Sequence, residues 1–438
     1  MDIVLPYGRG EVTLTGVPDS ARLVLPPVMS ATPILPEQLP QVLAEKLAHP
    51  IGAPKLAKLV QEHDQITIVL PDKTRKAGQA TYLPALLDWL VLHGVDRSRV
   101  RLLIGLGTHP GHAPEELDRL LGAEVHAEFR GARLAESSGH NVDDFVMLGS
   151  TERGTEVCLH KWLVEPGLIL QTGSITYHYY AGYSGGRKGI LPGCAAAGSI
   201  RQSHQLAFTR DPEGRIIREP LAKAGILRGN PIVEDQIEAA GMLPNPVFLI
   251  NTITDTHDAI IELVAGDLVA AHVYGSTLVD MYYQAPIPEA ADLVIASAGG
   301  YPSDINLIQS HKALDNAVLA ANPGARVMVL AECSQGTGND KSLEWAALGS
   351  AEAVLRKLGE QYQIVGGTVE GIMRKAEQHQ VTWCSVLPSD MPGKFGMEIR
   401  EMAVGSTIDV SGMLTEHGAV VILPAAGITL PRIVPQRA

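Results

Sequence analysis

The stretch AGYSGGRKGILPGCAAAGSIRQSH, residues 181–204, sets Arg187 and Lys188 among glycines that include Gly185 and Gly186, and it ends on His204. His178 stands just upstream in TYHYY, and His109 closes the run VRLLIGLGTH. A lysine beside bare backbone can bind an anion or, when its basicity is depressed, react as an amine. Imidazoles near it can take a proton, give one or ligate a metal. A glycine-rich turn after a strand can also present N–H groups to a phosphate. GYSGGRKG superficially resembles a P-loop, but that motif needs Gly directly before the Lys and Ser or Thr after it. Here Arg187 precedes Lys188 and Gly189 follows, which disfavours ATP hydrolysis. On spacing alone zinc, nickel and metal-free chemistry all stay open.

Further groups can hold a carboxylate. In DKTR, Arg75 can make a bidentate contact and Asp72 can accept hydrogen bonds, with a helix cap as the ordinary alternative role for Asp72. In GGYPSDINLIQSHKALDNA, Gln309 and Lys312 lie three apart on one helical face, although an exposed helix face explains such a pair equally simply. Ser303 or Asp304 is the expected cap of that helix, Ile305 and Ile308 its packed side, and Ser199 the expected cap of the helix carrying His204. His63, His93, His126, His257 and His379 read as structural or surface histidines, and the acids of GNPIVED as surface groups.

These residues need elements to position them. The β-rich runs Gln65–Pro71 and Val100–His109 flank a helical pattern at Tyr82–Leu92, a βαβ unit that implies a parallel sheet. Ligands gather beyond the carboxyl ends of such strands, where DKTR and GTH fall. GLILQTGSI repeats the arrangement with TYHYYAGYSGGRK behind it, PVFLINTIT adds a strand, and Asp267–Gln284 reads as a helix. The prolines of Gln284–Asp292 suggest a linker. The expected architecture is α/β: two α/β domains with largely parallel sheets and a cleft between them. Residues 1–284 are expected as a first domain, with the segment from about 413 returning to it, and residues 290–412 as a second.

The chain of 438 residues carries a formal charge of −13, from 48 acidic and 35 basic side chains. That argues against general affinity for nucleic acid or an anionic membrane, which rests on phosphate neutralisation. The apolar and charged fractions, 45% and 19%, are ordinary for a compact enzyme. No leader and no membrane-length apolar run is read in the sequence, and the cysteines at 158, 194, 333 and 384 form no CxxC pair, so reduced, buried thiols and a cytoplasmic location are expected.

Taken in order, GTHPGHAPEEL, HYYAGYSGGRKGILPG, the His204 spacing, GNPIVED, GGYPSDINLIQSHKAL and VILPAAGITLP resemble the lactate racemase family, from about Asp72 to the C-terminus. The resemblance implies an isomerase, a racemase or epimerase of 2-hydroxy acids that works by hydride transfer with a nickel-pincer nucleotide. It makes the first domain the cofactor-binding and catalytic one and has the second add substrate contacts. By motif position Lys188 forms the thioamide tether, His204 is the nickel ligand, and His109 and His178 are the acid/base pair. Arg75, Gln309 and Lys312 match substrate-gripping residues, and Asp72, Thr74, Gly185, Gly186 and Arg187 match cofactor-contacting ones. The glycines then make room for a nucleotide lying against the chain, and dedicated cofactor-assembly enzymes are implied partners. The sequence departs from the family at DKTRK, where Lys73 and Lys76 replace the usual residues. With the tyrosines at 177, 179, 180 and 183, these cations suggest a substrate larger than lactate, with plain surface lysines as the equally simple alternative. Two other readings are a metal-dependent hydrolase or lyase built on His109, His178 and His204, and a nucleotide-binding homologue without turnover.

Overall fold

The apolar runs around the candidate residues pair as one six-stranded sheet. Its order is Ile260–Asp267, Val247–Thr254, Leu168–Ser174, Ile66–Pro71, Val100–Gly107, Leu134–Ser138. All neighbours are parallel except the antiparallel pair Val247–Thr254 and Ile260–Asp267. The structure is a computed structural model and describes residues 1–75, 77–389, 391, 394–413 and 418–434.

Period-two alternation sends the side chains of this sheet into two cores. Ile66, Ile68, Leu70, Leu102, Ile104, Leu168 and Leu170 face helices that include Leu39–Ala48 and Gln79–Leu92. Val69, Leu103, Ile169 and Leu249 face the opposite way, onto Ile190, Leu191, Ile200, Ala239 and Ala271. Burial on both faces explains why the runs read as continuous apolar segments. The Ile66–Pro71 strand is central, and the chain then proceeds outward on one side before returning to Leu168–Ser174 on the other. The reversal lies between these two strands, so a ligand is expected at their carboxyl ends.

The chain divides into two units. One comprises Ser30–Thr209 and Arg218–Asp280, and the other Met1–Met29, Arg210–Ile217 and Met281–Ala438. The second unit has its own six-stranded sheet, ordered Glu398–Glu401, Gln380–Ser385, Ala321–Leu330, Ala291–Ser297, Val420–Leu423, Arg22–Leu23.

This corrects the expected division at both ends. The segment from about 413 does not return to the first unit, because Val420–Leu423 is a buried strand in parallel register with Ala291–Ser297 on one side and Arg22–Leu23 on the other. A fully apolar run such as VVIL needs a neighbour on each edge and cover on each face. The opening hairpin, Ile3–Tyr7 with Gly10–Thr15, likewise belongs to the second unit, where Leu5, Tyr7, Val12 and Leu14 share a core with Ile295 and Leu330. Nor is Gln284–Asp292 a loose linker: Gln284–Ile287 pairs in parallel with Leu430–Ile433. Its Pro286 is accommodated on a two-stranded ribbon, which leaves the missing donor harmless. All four cysteines are free, three of them buried and Cys158 half-buried. Among the described residues no helix is long and apolar enough to cross a membrane.

Candidate functional site

The turn after the central strand is built by Asp72. Its Oδ1 accepts from the Thr74 backbone N–H at 2.7 Å and from the Thr74 hydroxyl at 2.5 Å, and Arg75 N–H closes the turn on the Asp72 carbonyl. Asp72 is thus no helix cap, since the next helix begins at Gln79 behind Gly78. Its other oxygen, Oδ2, lies 2.5 Å from Nδ1 of His109 at the end of the neighbouring strand. Burial pushes the Asp72 carboxyl up, but hydrogen bonds from His109 and Thr74 and the charges of His109 and Arg75 outweigh it and hold the group at about 2. Asp72 is therefore an anion, and it must accept the Nδ1 proton of His109.

His178 lies in a short hairpin, Tyr177–His178 with Gly182–Tyr183. The Tyr177 and Tyr183 hydroxyls both donate to Asp280 Oδ1, at 2.7 and 2.6 Å. Nδ1 of His178 accepts from the backbone N–H groups of Tyr180 and Ala181, at 3.2 and 3.1 Å. The hairpin runs directly into the turn Gly186–Gly189.

Lys188 sits on that turn, buried, and among the described residues its side-chain amine has no ion-pair or hydrogen-bond partner. Burial lowers its basicity well below the usual range, and the charges of Arg75 and Arg187 lower it further. Backbone bonds tie the turn to the His109 strand: Gly193 N–H donates to the Lys188 carbonyl, and Gly107 N–H to the Gly193 carbonyl, both at 2.9 Å. Arg187 Nη2 donates to the Ala181 carbonyl at 2.7 Å, which ties the same turn to the His178 hairpin. Lys188 is thus fastened to the segments carrying both candidate bases.

His204 lies in the helix Ala197–Gln205 and donates its Nδ1 proton to the Ile200 carbonyl at 2.7 Å. Burial, then the charges of Lys188 and Arg75, hold it at about 4 in spite of that bond, so it is neutral with its lone pair on Nε2. Ser199 does not cap this helix: Ala196 occupies the cap position, and the Ser199 hydroxyl donates to the Glu156 carbonyl and accepts from Cys158 N–H. The Arg75 guanidinium is exposed and has no partner among the described residues.

The glycines have a different role from the one expected. A Cβ on Gly182 would lie 2.2 Å from the Ile226 carbonyl oxygen, and one on Gly186 2.5 Å from the His272 ring, at φ values of +71° and +53°. Gly185 packs against Asn251 and Ser174 in the same way, and Gly189 against Gln171. Bare backbone here lets the protein pack on itself. The expected cofactor contacts Thr74 and Gly186 are internally engaged too, and Arg187 in part, its buried Nε having no hydrogen-bond partner among the described residues. Gly186 N–H donates to Asn251 Oδ1, Thr74 to Asp72, and the buried Arg187 lies 3.5 Å from the His272 ring nitrogens. Lys73 likewise pairs with Glu116 at 2.6 Å, while Lys76 lies outside the described residues.

Gln309 and Lys312 share an exposed face of the helix Leu307–Ala317, in the other unit. Asn306 caps this helix, in place of Ser303 or Asp304, and Leu307, Ser310, Ala313 and Leu314 form its buried side. Asp235, read as a surface acid, is fully buried and accepts from the Thr151 hydroxyl. Sequence reasoning passed over Asn251, His272, Asp280 and His112. Asn251 had a signal, a polar residue inside the apolar run FLINTIT, and the others had none. His112 accepts from Lys73 N–H and pairs through Nδ1 with Glu136, pinning the Asp72 turn beside the His109 loop.

The family model described as the lactate racemase N-terminal domain matches residues 7–216, and the one for the C-terminal domain matches residues 287–361. A lactate racemase from Lactiplantibacillus plantarum is 30% identical over 300 residues, 68% of each chain. The chain belongs to the lactate racemase family. A second lactate racemase, from Thermoanaerobacterium thermosaccharolyticum, is 29% identical over 345 residues, 78% of this chain and 77% of that one. The lactate racemase apoprotein structure from the same organism superposes with a TM-score of 0.83 at 25% identity, covering 99% of this chain and all of its own. A protein from Thermotoga maritima shares the fold, with a TM-score of 0.61 at 14% identity over 92% of this chain. The two-unit α/β architecture is that of lactate racemase, and the chain is an isomerase of the racemase type.

Proposed function

We propose that the chain racemises or epimerises a 2-hydroxy acid at C2, with Lys188 as the tether of a nickel-pincer nucleotide. Lys188 carries this reading: a buried amine without an anionic partner among the described residues is kept toward its neutral, nucleophilic form. The neighbouring imidazole fits as well. His204 is neutral, with its Nδ1 proton fixed by a carbonyl, the arrangement that makes Nε2 a metal ligand. Thr74 and Gly186 are bonded within the protein, whereas the buried Nε of Arg187 has no hydrogen-bond partner among the described residues and fits an anionic group of the cofactor.

When bound, the group supplies a hydride acceptor and donor at the substrate carbon. The chain supplies the rest. Arg75 holds the substrate carboxylate through its guanidinium, which is unpartnered among the described residues. His109 and His178 handle the proton of the 2-hydroxyl, one in reach of Asp72 and the other on the Asp280-anchored hairpin. Gln309 and Lys312 are proposed as further substrate contacts, and cofactor-assembly enzymes as partners. The hydrolase reading requires three clustered donors. Among the described residues no group of three or more His, Cys, Asp or Glu is arranged to hold a metal.

A substrate larger than lactate has lost part of its motivation. Lys73 is engaged by Glu116, and Tyr177 and Tyr183 by Asp280, so the idea rests on Lys76 with Tyr179 and Tyr180. Racemisation assays across lactate, malate, 2-hydroxyglutarate and sugar acids decide it, and a preference for lactate removes it. The tether is tested by intact-protein mass spectrometry after coexpression with pincer-assembly enzymes and nickel. The expected result is an adduct mapping to Lys188 and missing from Lys188→Ala. Racemisation by an unmodified chain would end the proposal.

A further inference from the structure

We infer that the two candidate bases hold opposite tautomers, so that only His109 is set to accept a proton. The inference rests on the reading that these two rings face the substrate. The ionised Asp72 can only accept, so the proton of neutral His109 is on Nδ1 and the lone pair is on Nε2. At His178 the demand is reversed. Its Nδ1 faces the N–H groups of Tyr180 and Ala181, which can only donate. The lone pair of neutral His178 is therefore on Nδ1 and its proton on Nε2.

The surroundings hold both choices in place. Asp72 is itself fixed by two bonds from Thr74, and the His178 ring stacks on Tyr179 with centroids 4.8 Å apart and planes 11° apart. The hairpin beneath it is tied by Tyr177 and Tyr183 to Asp280. A proton on Nδ1 of His178 would point at two donor N–H groups, so a cationic His178 requires the Tyr180–Ala181 backbone to move away.

The consequence is an asymmetric pair. When a hydroxyl meets His109, its O–H bond breaks, an N–H bond forms at Nε2, the electron pair stays on oxygen, and Asp72 balances the new charge. When the oxygen meets neutral His178, the Nε2–H group donates a hydrogen bond to it and takes no proton. Conversion in either direction must rearrange that turn at the step in which His178 takes or gives the proton.

Two-bond proton–nitrogen correlation spectra of the full chain with 15N-labelled histidine, at neutral pH, test this without any cofactor. His109→Gln and His178→Gln assign the two rings. The expected pattern places the unprotonated nitrogen at Nε2 in His109 and at Nδ1 in His178. The same tautomer in both rings, or His178 protonated on both nitrogens, overturns the inference. Asp72→Asn is expected to change the His109 pattern and leave that of His178 intact; an unchanged His109 counts against Asp72 as its determinant. A loaded enzyme that racemises nothing, with the opposite tautomers intact, defeats the proposed function and upholds the tautomers.

Discussion

Asp72 sets the state of its neighbour with one buried carboxylate. It orients His109, fixes which nitrogen holds the proton, and stabilises the cation formed when His109 is protonated. Proton transfer by a positioned side chain contributes about 10²–10⁴-fold to rate. Asp72→Asn is therefore expected to lower kcat by about that factor with a much smaller change in KM, measured by racemisation from either enantiomer. The matched loss of a cofactor contact would instead raise KM or reduce adduct formation at Lys188. The motif alone did not distinguish these roles, because an Asp in an Asp-X-Thr turn can cap, ligate or orient. What decided was the His109 ring, brought to Asp72 by the register of two parallel strands, Pro71 opposite Gly105.

At the scale of elements, the Tyr177–Tyr183 hairpin has only two paired positions and cannot hold His178 by itself. Asp280, at the end of the helix Ala270–Tyr283, holds it through two phenols. Burial, and then the bond and charge of Asp280, push the Tyr183 hydroxyl far above the ordinary tyrosine range, so it stays a donor at any working pH. Replacing both tyrosines, Tyr177→Phe with Tyr183→Phe, removes the clamp while leaving the rings. The expected outcome is a fall in kcat of roughly tenfold or more with the unfolding temperature lowered by only a few degrees. Unchanged turnover would show that the clamp is dispensable. The glycines carry the same lesson. Their density was legible in the sequence as a need for close approach, but the approaching groups, Ile226, Asn251, His272 and Gln171, come from distant positions that a local reading cannot pair with them.

For the whole molecule, the first residues stabilise the last ones. Leu5, Tyr7, Val12 and Leu14 are buried in the core of the second unit, and fully burying such side chains contributes about 1.5–3 kcal/mol each. That sum rivals the roughly 5–15 kcal/mol stability of an ordinary domain. Deleting residues 1–29 should therefore leave the unit of Met281–Ala438 unfolded, seen as early proteolysis there while Ser30–Asp280 persists. Acid should act on the molecule through its buried histidines. Burial places His160 at about 4 in spite of the nearby Asp144 carboxylate, and burial followed by the Arg187 charge places His272 at about 3, below the usual 6.5. Each is kept neutral by the fold, so its contribution is complete above pH 6.5 and declines as pH falls toward those values, at about 1.4 kcal/mol per pH unit. Thermal unfolding should thus weaken below pH 6.5, and His160→Gln should flatten the decline. An equal slope in the variant would assign the acid sensitivity elsewhere.

By itself the sequence determined the parallel sheet, the family and the small set of residues able to do chemistry. Apolar periodicity, strand–helix alternation and motif order are local properties, written in consecutive residues. Only the tertiary structure decided which unit owns the chain ends, which glycines face protein, and what each charged group is bonded to. Those depend on partners far apart in the chain: Asp72 with His109, Asp280 with the hairpin, Val420–Leu423 with Arg22–Leu23. A proton's position on an imidazole is the extreme case, because it is fixed by whichever donor or acceptor the fold delivers to one ring nitrogen.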